Sequence, residues 1–154
     1  MPLRDAFPTC PRCRAALDPR GDRHVCTGCD GALVTEPVVS QLIADMIGDQ
    51  VSALGWAGKV AEPQPLAFLA RSSAQTLVCP CCDATMETLD LYGIAVDRCA
   101  AHGVWFDKQE LADTLTRAYD ANKITSTRGE RVYMKIVFAG YIAARLLQAI
   151  YAHR

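Results

Sequence analysis

The sequence predicts a small α+β fold of short β-hairpins and helices, held together by metal-ligating side chains instead of one large core. Three observations lead there. The motif C-P-x-C occurs twice, as Cys10-Pro-Arg-Cys13 and Cys79-Pro-Cys81-Cys82, 69 residues apart. A second pair of ligand-type residues follows each time, Cys26-Thr-Gly-Cys29 and then Cys99-Ala-Ala-His102. After each second pair comes a run with helical periodicity. This is a divergent internal repeat of two units.

A C-x-x-C turn supplies two ligands from one tight bend, and two such knuckles close a tetrahedron. Zinc prefers four tetrahedral ligands, and thiolate sulfur with imidazole nitrogen suits its borderline softness. Cys10, Cys13, Cys26 and Cys29 form the first set, with 12 residues between knuckles. Cys79, Cys82, Cys99 and His102 form the second, with 16 between. Both intervals suit a hairpin, so each unit reads as a zinc ribbon, with Tyr92 to Asp97 as the returning strand of the second. Cys81 is an alternative ligand, in place of a neighbouring cysteine or of His102. Adjacent cysteines point in different directions, so Cys79 with Cys82 makes the better knuckle and Cys81 is left as a thiol near a metal. His24, two residues before Cys26, is most simply a hairpin side chain.

In chain order, the first zinc ribbon spans 1–35 and a helix spans 36–54. Val39, Leu42, Ile43, Met46 and Ile47 recur there at helical spacing, with Thr35 as cap and Pro37 in the first turn. A Gly/Pro-rich linker covers 55–76, with one short strand within Leu66–Ala70 and with Trp56 covering a ribbon or meeting a partner. The second ribbon and its helix span 77–121. Asp107 and Glu110 have the spacing of a capping box, in which Asp107 accepts from the first-turn amides and Glu110 reaches back, so no acid–base chemistry is needed to explain them. The remaining element, 129–153, is a long apolar helix. Val132, Ile136, Ala139, Ala143, Leu146 and Ile150 make one seam of it, and its apolar face is wide enough to need cover. Packing within the chain, self-association and a partner's groove are the candidates, with membrane-surface contact a minor option.

The totals narrow the class. The chain has 154 residues, 16 basic and 17 acidic side chains, and eight cysteines. A dedicated duplex-DNA binder usually carries a basic excess, which is absent here. The N-terminus has no apolar secretory core, so the cysteines are expected as thiolates in a reducing, cytoplasmic compartment. Lys135, Arg145 and Gln148 interrupt the apolar tail, which argues against a spanning helix.

The run C-P-C-C … V-D-R-C-A-A-H-G-V-W-F-D-K-Q-E-L resembles the bacterial zinc-ribbon family named after transcription factor IIB, the TFIIB-type zinc finger. The resemblance covers residues 77–115 and rests on knuckle, tryptophan and helix start together. It implies a small metal-binding module often labelled as transcription-related. His102 stands where the commonest form of the family has cysteine. The first unit is similar only in its four cysteines.

Four ligands at each centre imply closed, structural sites holding two zinc ions, and hence no enzyme. A redox C-x-x-C leaves the second knuckles unexplained, and no H-x-E element of a zinc deaminase is present. The expected function is a non-catalytic, cytoplasmic adaptor or scaffold that engages a protein partner or a second copy of itself. The expected contact residues are Ile136, Ala143, Leu146 and Ile150 of the tail. Trp105 and Phe106 either pack the following helix onto the ribbon or form an exposed anchor. The alternative is a nucleic-acid-binding or transcription-associated regulator using Arg12, Arg14, Arg20 and Arg23, a local basic bias suited to phosphate.

Overall fold

The computed structural model of the protein describes residues 8–53, 62–73 and 75–122. The expected C-terminal helix, with Ile136, Ala143, Leu146 and Ile150, lies outside the described residues, as do Trp56 and much of the linker.

The first unit folds as β1 (Leu17–Arg20), β2 (Arg23–Cys26) and β3 (Ala32–Val34), all antiparallel. Gly21 and Asp22 close the first hairpin, and Gly21 supplies a φ of 64°. Helix α1 (Glu36–Ala53) follows at once, its first turn closed by the Thr35 carbonyl, which accepts from the Val38 and Val39 amides at 3.1 Å each. The linker contributes a two-residue strand, β4 (Leu69–Ala70), within the stretch where a short strand is expected.

The second unit repeats the plan with β5 (Glu87–Leu91), β6 (Ile94–Cys99) and β7 (Gly103–Phe106), then α2 (Glu110–Ala121). Tyr92 and Gly93 form the turn between β5 and β6, with φ values of 55° and 80°, so the returning strand starts at Ile94, not at Tyr92. Positive φ at both central residues matches the twist of the flanking strands. The Asp90 carboxylate accepts from the Gly93 amide at 2.7 Å and pins the turn.

Half of the expected capping box forms. The Glu110 carboxylate accepts from the Asp107 amide at 2.8 Å. Asp107 does not cap α2 in return: its carboxylate accepts from the Trp105 indole at 2.9 Å and from Arg12. The helix accordingly starts at Glu110, after Gln109 in the left-handed region.

The two ribbons share a single seven-stranded sheet in the order β1-β2-β3-β7-β6-β5-β4. Strands β3 and β7 join them, with Ala32 opposite Phe106, Leu33 opposite Trp105 and Val34 opposite Val104. Each is the strand that leaves its unit's second knuckle, starting from Gly31 or Gly103. Superposing those glycines turns the Ala32–Phe106 pair into the Val104–Val34 pair, so an approximate two-fold axis passes between Leu33 and Trp105. The junction needs both glycines. A Cβ at Gly31 would lie 2.6 Å from the Trp105 ring, and at Gly103, with φ at 113°, it would collide with the Val34 carbonyl.

Alternation along the strands gives the sheet two buried faces. Val34, Leu91, Val96, Val104 and Phe106 meet Val39, Ile43 and Met46 of α1 and Leu115, Ala118 and Tyr119 of α2. Leu17, Leu33, Met86 and Trp105 face the opposite way, onto Leu77 and the cysteines Cys10, Cys26, Cys79 and Cys99. Trp105 and Phe106 are 0% and 1% exposed. Of the two roles expected for them, packing is the one found and the exposed anchor is not: consecutive strand residues point to opposite faces, Phe106 onto the helices and Trp105 onto the ligand cysteines, and both faces are covered.

Candidate metal centres

Each C-P-x-C segment folds back on itself through the same main-chain bonds. The Cys10 amide donates to the Ala15 carbonyl at 2.8 Å, and the Arg14 amide to the Cys10 carbonyl at 2.9 Å. In the second unit Cys79 donates to Ala84 at 2.8 Å and Asp83 to Cys79 at 3.0 Å. Arg14 and Asp83 occupy equivalent places and both take a positive φ, 63° and 58°. The turn aims the two cysteine side chains to one side and points backbone amides at the first sulfur. Arg12 and Cys13 each donate to Cys10 Sγ at 3.4 Å, while Gly28 and Cys29 donate to Cys26 Sγ at 3.3 and 3.4 Å. Such bonds favour the thiolate over the thiol.

The hairpin of each unit then brings the second knuckle to the first. Cys10, Cys13, Cys26 and Cys29 place their sulfurs within 4.8 Å of one another. Cys79, Cys82, Cys99 and His102 do the same with three sulfurs and one imidazole nitrogen. Cross-knuckle Sγ–Sγ distances are 3.4 Å for Cys13–Cys26, 3.6 Å for Cys10–Cys29 and 3.7 Å for Cys82–Cys99. His102 Nδ1 lies 3.7 Å from Cys79 Sγ and 3.6 Å from Cys99 Sγ. Zinc–sulfur bonds of about 2.3 Å at tetrahedral angles require sulfurs about 3.8 Å apart, and a sulfur–nitrogen separation of about 3.6 Å. Both sets fit a zinc ion. None of these separations approaches a disulfide bond, about 2.05 Å, and all eight cysteines are unbridged.

Charge points the same way. Burial raises the Cys99 thiol, but the His102 bond and the Ala101 and His102 amides outweigh it and bring the thiol to about 6. Cys26 similarly settles at about 7, with burial overcome by the Cys29 and Gly28 amides. Cys79 and Cys29 are each pushed to about 12, first by burial and then by neighbouring thiols. Without a cation the donors of one cluster cannot all ionise together. A divalent ion supplies the charge that lets them do so, and binding it releases protons.

Cys81 is exposed and stands outside the four-donor group, so the alternative in which it replaces a ligand is not the arrangement found. His102 lies within the group.

The arginines read as phosphate contacts are differently placed. Arg12 reaches across to the second ribbon, 2.9 Å from Asp107 and 3.3 Å from Asp97, which corrects its reading as a free phosphate contact. Arg20 pairs with Asp18 at 3.0 Å and Arg23 with Asp22 at 3.3 Å. Arg14 is exposed on the knuckle turn. Sequence reasoning passed over Gly31, Leu33 and Asp97. The one signal for the first two was the parallel between Gly31-Ala-Leu-Val and Gly103-Val-Trp-Phe.

Two closed knuckle pairs on antiparallel hairpins define a double zinc ribbon. Residues 78–117 match the family model described as transcription factor zinc-finger, the TFIIB-type zinc ribbon. That segment holds the whole second ligand set, the Gly-Val-Trp-Phe strand and most of α2. The first ribbon lies outside it and is linked to the second by geometry alone. No curated protein and no solved structure matches the chain.

Proposed function

We propose that the protein is a non-catalytic, cytoplasmic adaptor or scaffold in which two structural zinc ions stiffen a platform for a protein partner. The observation that carries this reading is the completeness of both donor sets. Four side chains around a tetrahedral ion leave no place for a water or a substrate, whereas catalytic zinc keeps one position open.

Burial of Trp105 and Phe106 moves the expected contact surface to the apolar C-terminal stretch 129–153, with Ile136, Ala143, Leu146 and Ile150. A second copy of the chain is the other occupant that stretch would suit. Among the described residues, no helix is long and apolar enough to cross a membrane. The nucleic-acid reading draws less support, since Arg12, Arg20 and Arg23 lie against carboxylates.

The test is purification of the tagged full chain from its own cells, at low and high salt, with and without nuclease. The adaptor reading expects a protein partner that survives nuclease and high salt and is lost when 129–153 is removed. Recovery of nucleic acid, or of partners that nuclease or salt releases, would replace it with the regulator reading, because phosphate-driven binding weakens steeply with salt.

A further inference from the structure

We propose that the two metal centres are energetically coupled through Arg12, so that filling the first strengthens metal binding at the second. Arg12 is part of the first ligand turn, between Cys10 and Cys13, and its own amide donates to Cys10 Sγ at 3.4 Å. Its guanidinium leaves that turn and enters the second ribbon. There it meets Asp97 Oδ2 at 3.3 Å and Asp107 Oδ2 at 2.9 Å.

Those two carboxylates are placed to hold the second site. Asp97 lies on β6, two residues before the ligand Cys99, and is fixed from the other side by the Thr88 hydroxyl at 2.7 Å. Asp107 directly follows β7, the strand that starts beside the ligand His102, and it also holds the Trp105 indole at 2.9 Å. One side chain from the first knuckle therefore braces both strands that bring Cys99 and His102 together.

A common wall adds to the link. Cys10 and Cys26 of the first site and Cys79 and Cys99 of the second are buried in one cluster around Leu33 and Trp105. An ion orders the Cys10–Cys13 turn, and only an ordered turn keeps Arg12 in reach of two carboxylates at once. By linkage the effect is reciprocal: metal at the second site tightens the first by the same factor.

The test uses the full chain and cobalt(II) as the probe, since a site with four sulfurs and one with three sulfurs and a nitrogen absorb differently. Cys10→Ser with Cys13→Ser removes the first site. Cobalt affinity at the second site is expected to fall about tenfold, within the usual range of coupling between sites. In an Arg12→Ala background, which keeps all eight ligands, the same removal is expected to cost less than about threefold. Equal second-site affinity with and without the first site overturns the proposal. So does a removal effect that Arg12→Ala leaves undiminished.

Should Arg12→Ala fail to fold, Asp107→Asn makes the same comparison while keeping an oxygen acceptor for the Trp105 indole. Should the Cys10/Cys13 variant take up no metal at all, filling of the intact pair decides. One joint transition in the unaltered chain and two separate ones in Arg12→Ala support the link. Identical filling curves refute it.

Discussion

Arg12 and Asp107, 95 residues apart in the chain, meet at 2.9 Å across the junction of the two ribbons, with each side chain about one-third exposed (33% for both). The contact has two strands of bonding: Arg12 Nε donates to Oδ1 at 3.1 Å while a terminal nitrogen sits by Oδ2. Such a paired geometry makes the ion pair directional. Behind it Asp97, only 9% exposed, depends on the same guanidinium.

Replacing Arg12 with Ala is expected to lower stability by about 2 kcal/mol, more than an ordinary surface pair contributes, because it leaves Asp97 without its cation. Asp107→Asn, which strands no buried charge, is expected to cost about 1 kcal/mol or less. Urea unfolding of the metal-loaded protein would measure both. Equal, negligible losses would show that the pair adds nothing to the junction.

Gly31→Ala is expected to destabilise by about 1–3 kcal/mol, as overpacking does in a filled core. The added methyl meets the Trp105 ring at 2.6 Å, and neither β3 nor β7 can retreat without losing the ladder between them. Thermal unfolding would report the stability, and a red shift in the emission of Trp105 would report the displaced ring. A Gly31→Ala protein as stable as the parent would mean that the ring has room to move.

Chelation is expected to unfold both ribbons together, because they share one sheet and one cluster of ligand cysteines. Structural zinc can contribute on the order of 10 kcal/mol to folding in such modules. Unchanged circular dichroism after complete metal removal would contradict this.

Acid should release the metal as well. Protons compete for the thiolates, so affinity is lost as pH falls. Cys79 and Cys29, which stand near 12 without a cation, bind protons at neutral pH that metal must displace. Zinc titration in weakly buffered solution at pH 7 should therefore acidify it, and affinity should rise with pH. Proton-neutral binding would argue against these ligand sets.

Thr114 is fully buried in α2, and its hydroxyl has no hydrogen-bond partner among the described residues. Leaving such a group dry costs about 1–3 kcal/mol. Thr114→Val, nearly the same shape without the hydroxyl, is expected to raise the midpoint of thermal unfolding. A fall of that midpoint would show that the hydroxyl finds a partner, such as an ordered water.

The sequence by itself determined the ligand sets and the local units around them. Metal chemistry demands particular residues at short spacings, so C-P-x-C, the second knuckles and the hairpin-length intervals could be read directly. The helix after each unit was equally legible, since apolar periodicity and start signals are local. The Tyr92-Gly93 turn and the start of α2 fell a few residues from their expected places, where two positive φ values and a redirected Asp107 overrode simple patterning.

Only the tertiary structure decided how the two units relate. Pairing β3 with β7 requires strands 72 residues apart to find one register, and a short apolar run such as Ala-Leu-Val does not specify its partner. The same long-range pairing turned Trp105 from a candidate surface anchor into the centre of the core, and Arg12 from a candidate phosphate contact into a brace. Spacing along the chain encodes what a residue can ligate. What it is buried against depends on contacts that no local pattern records.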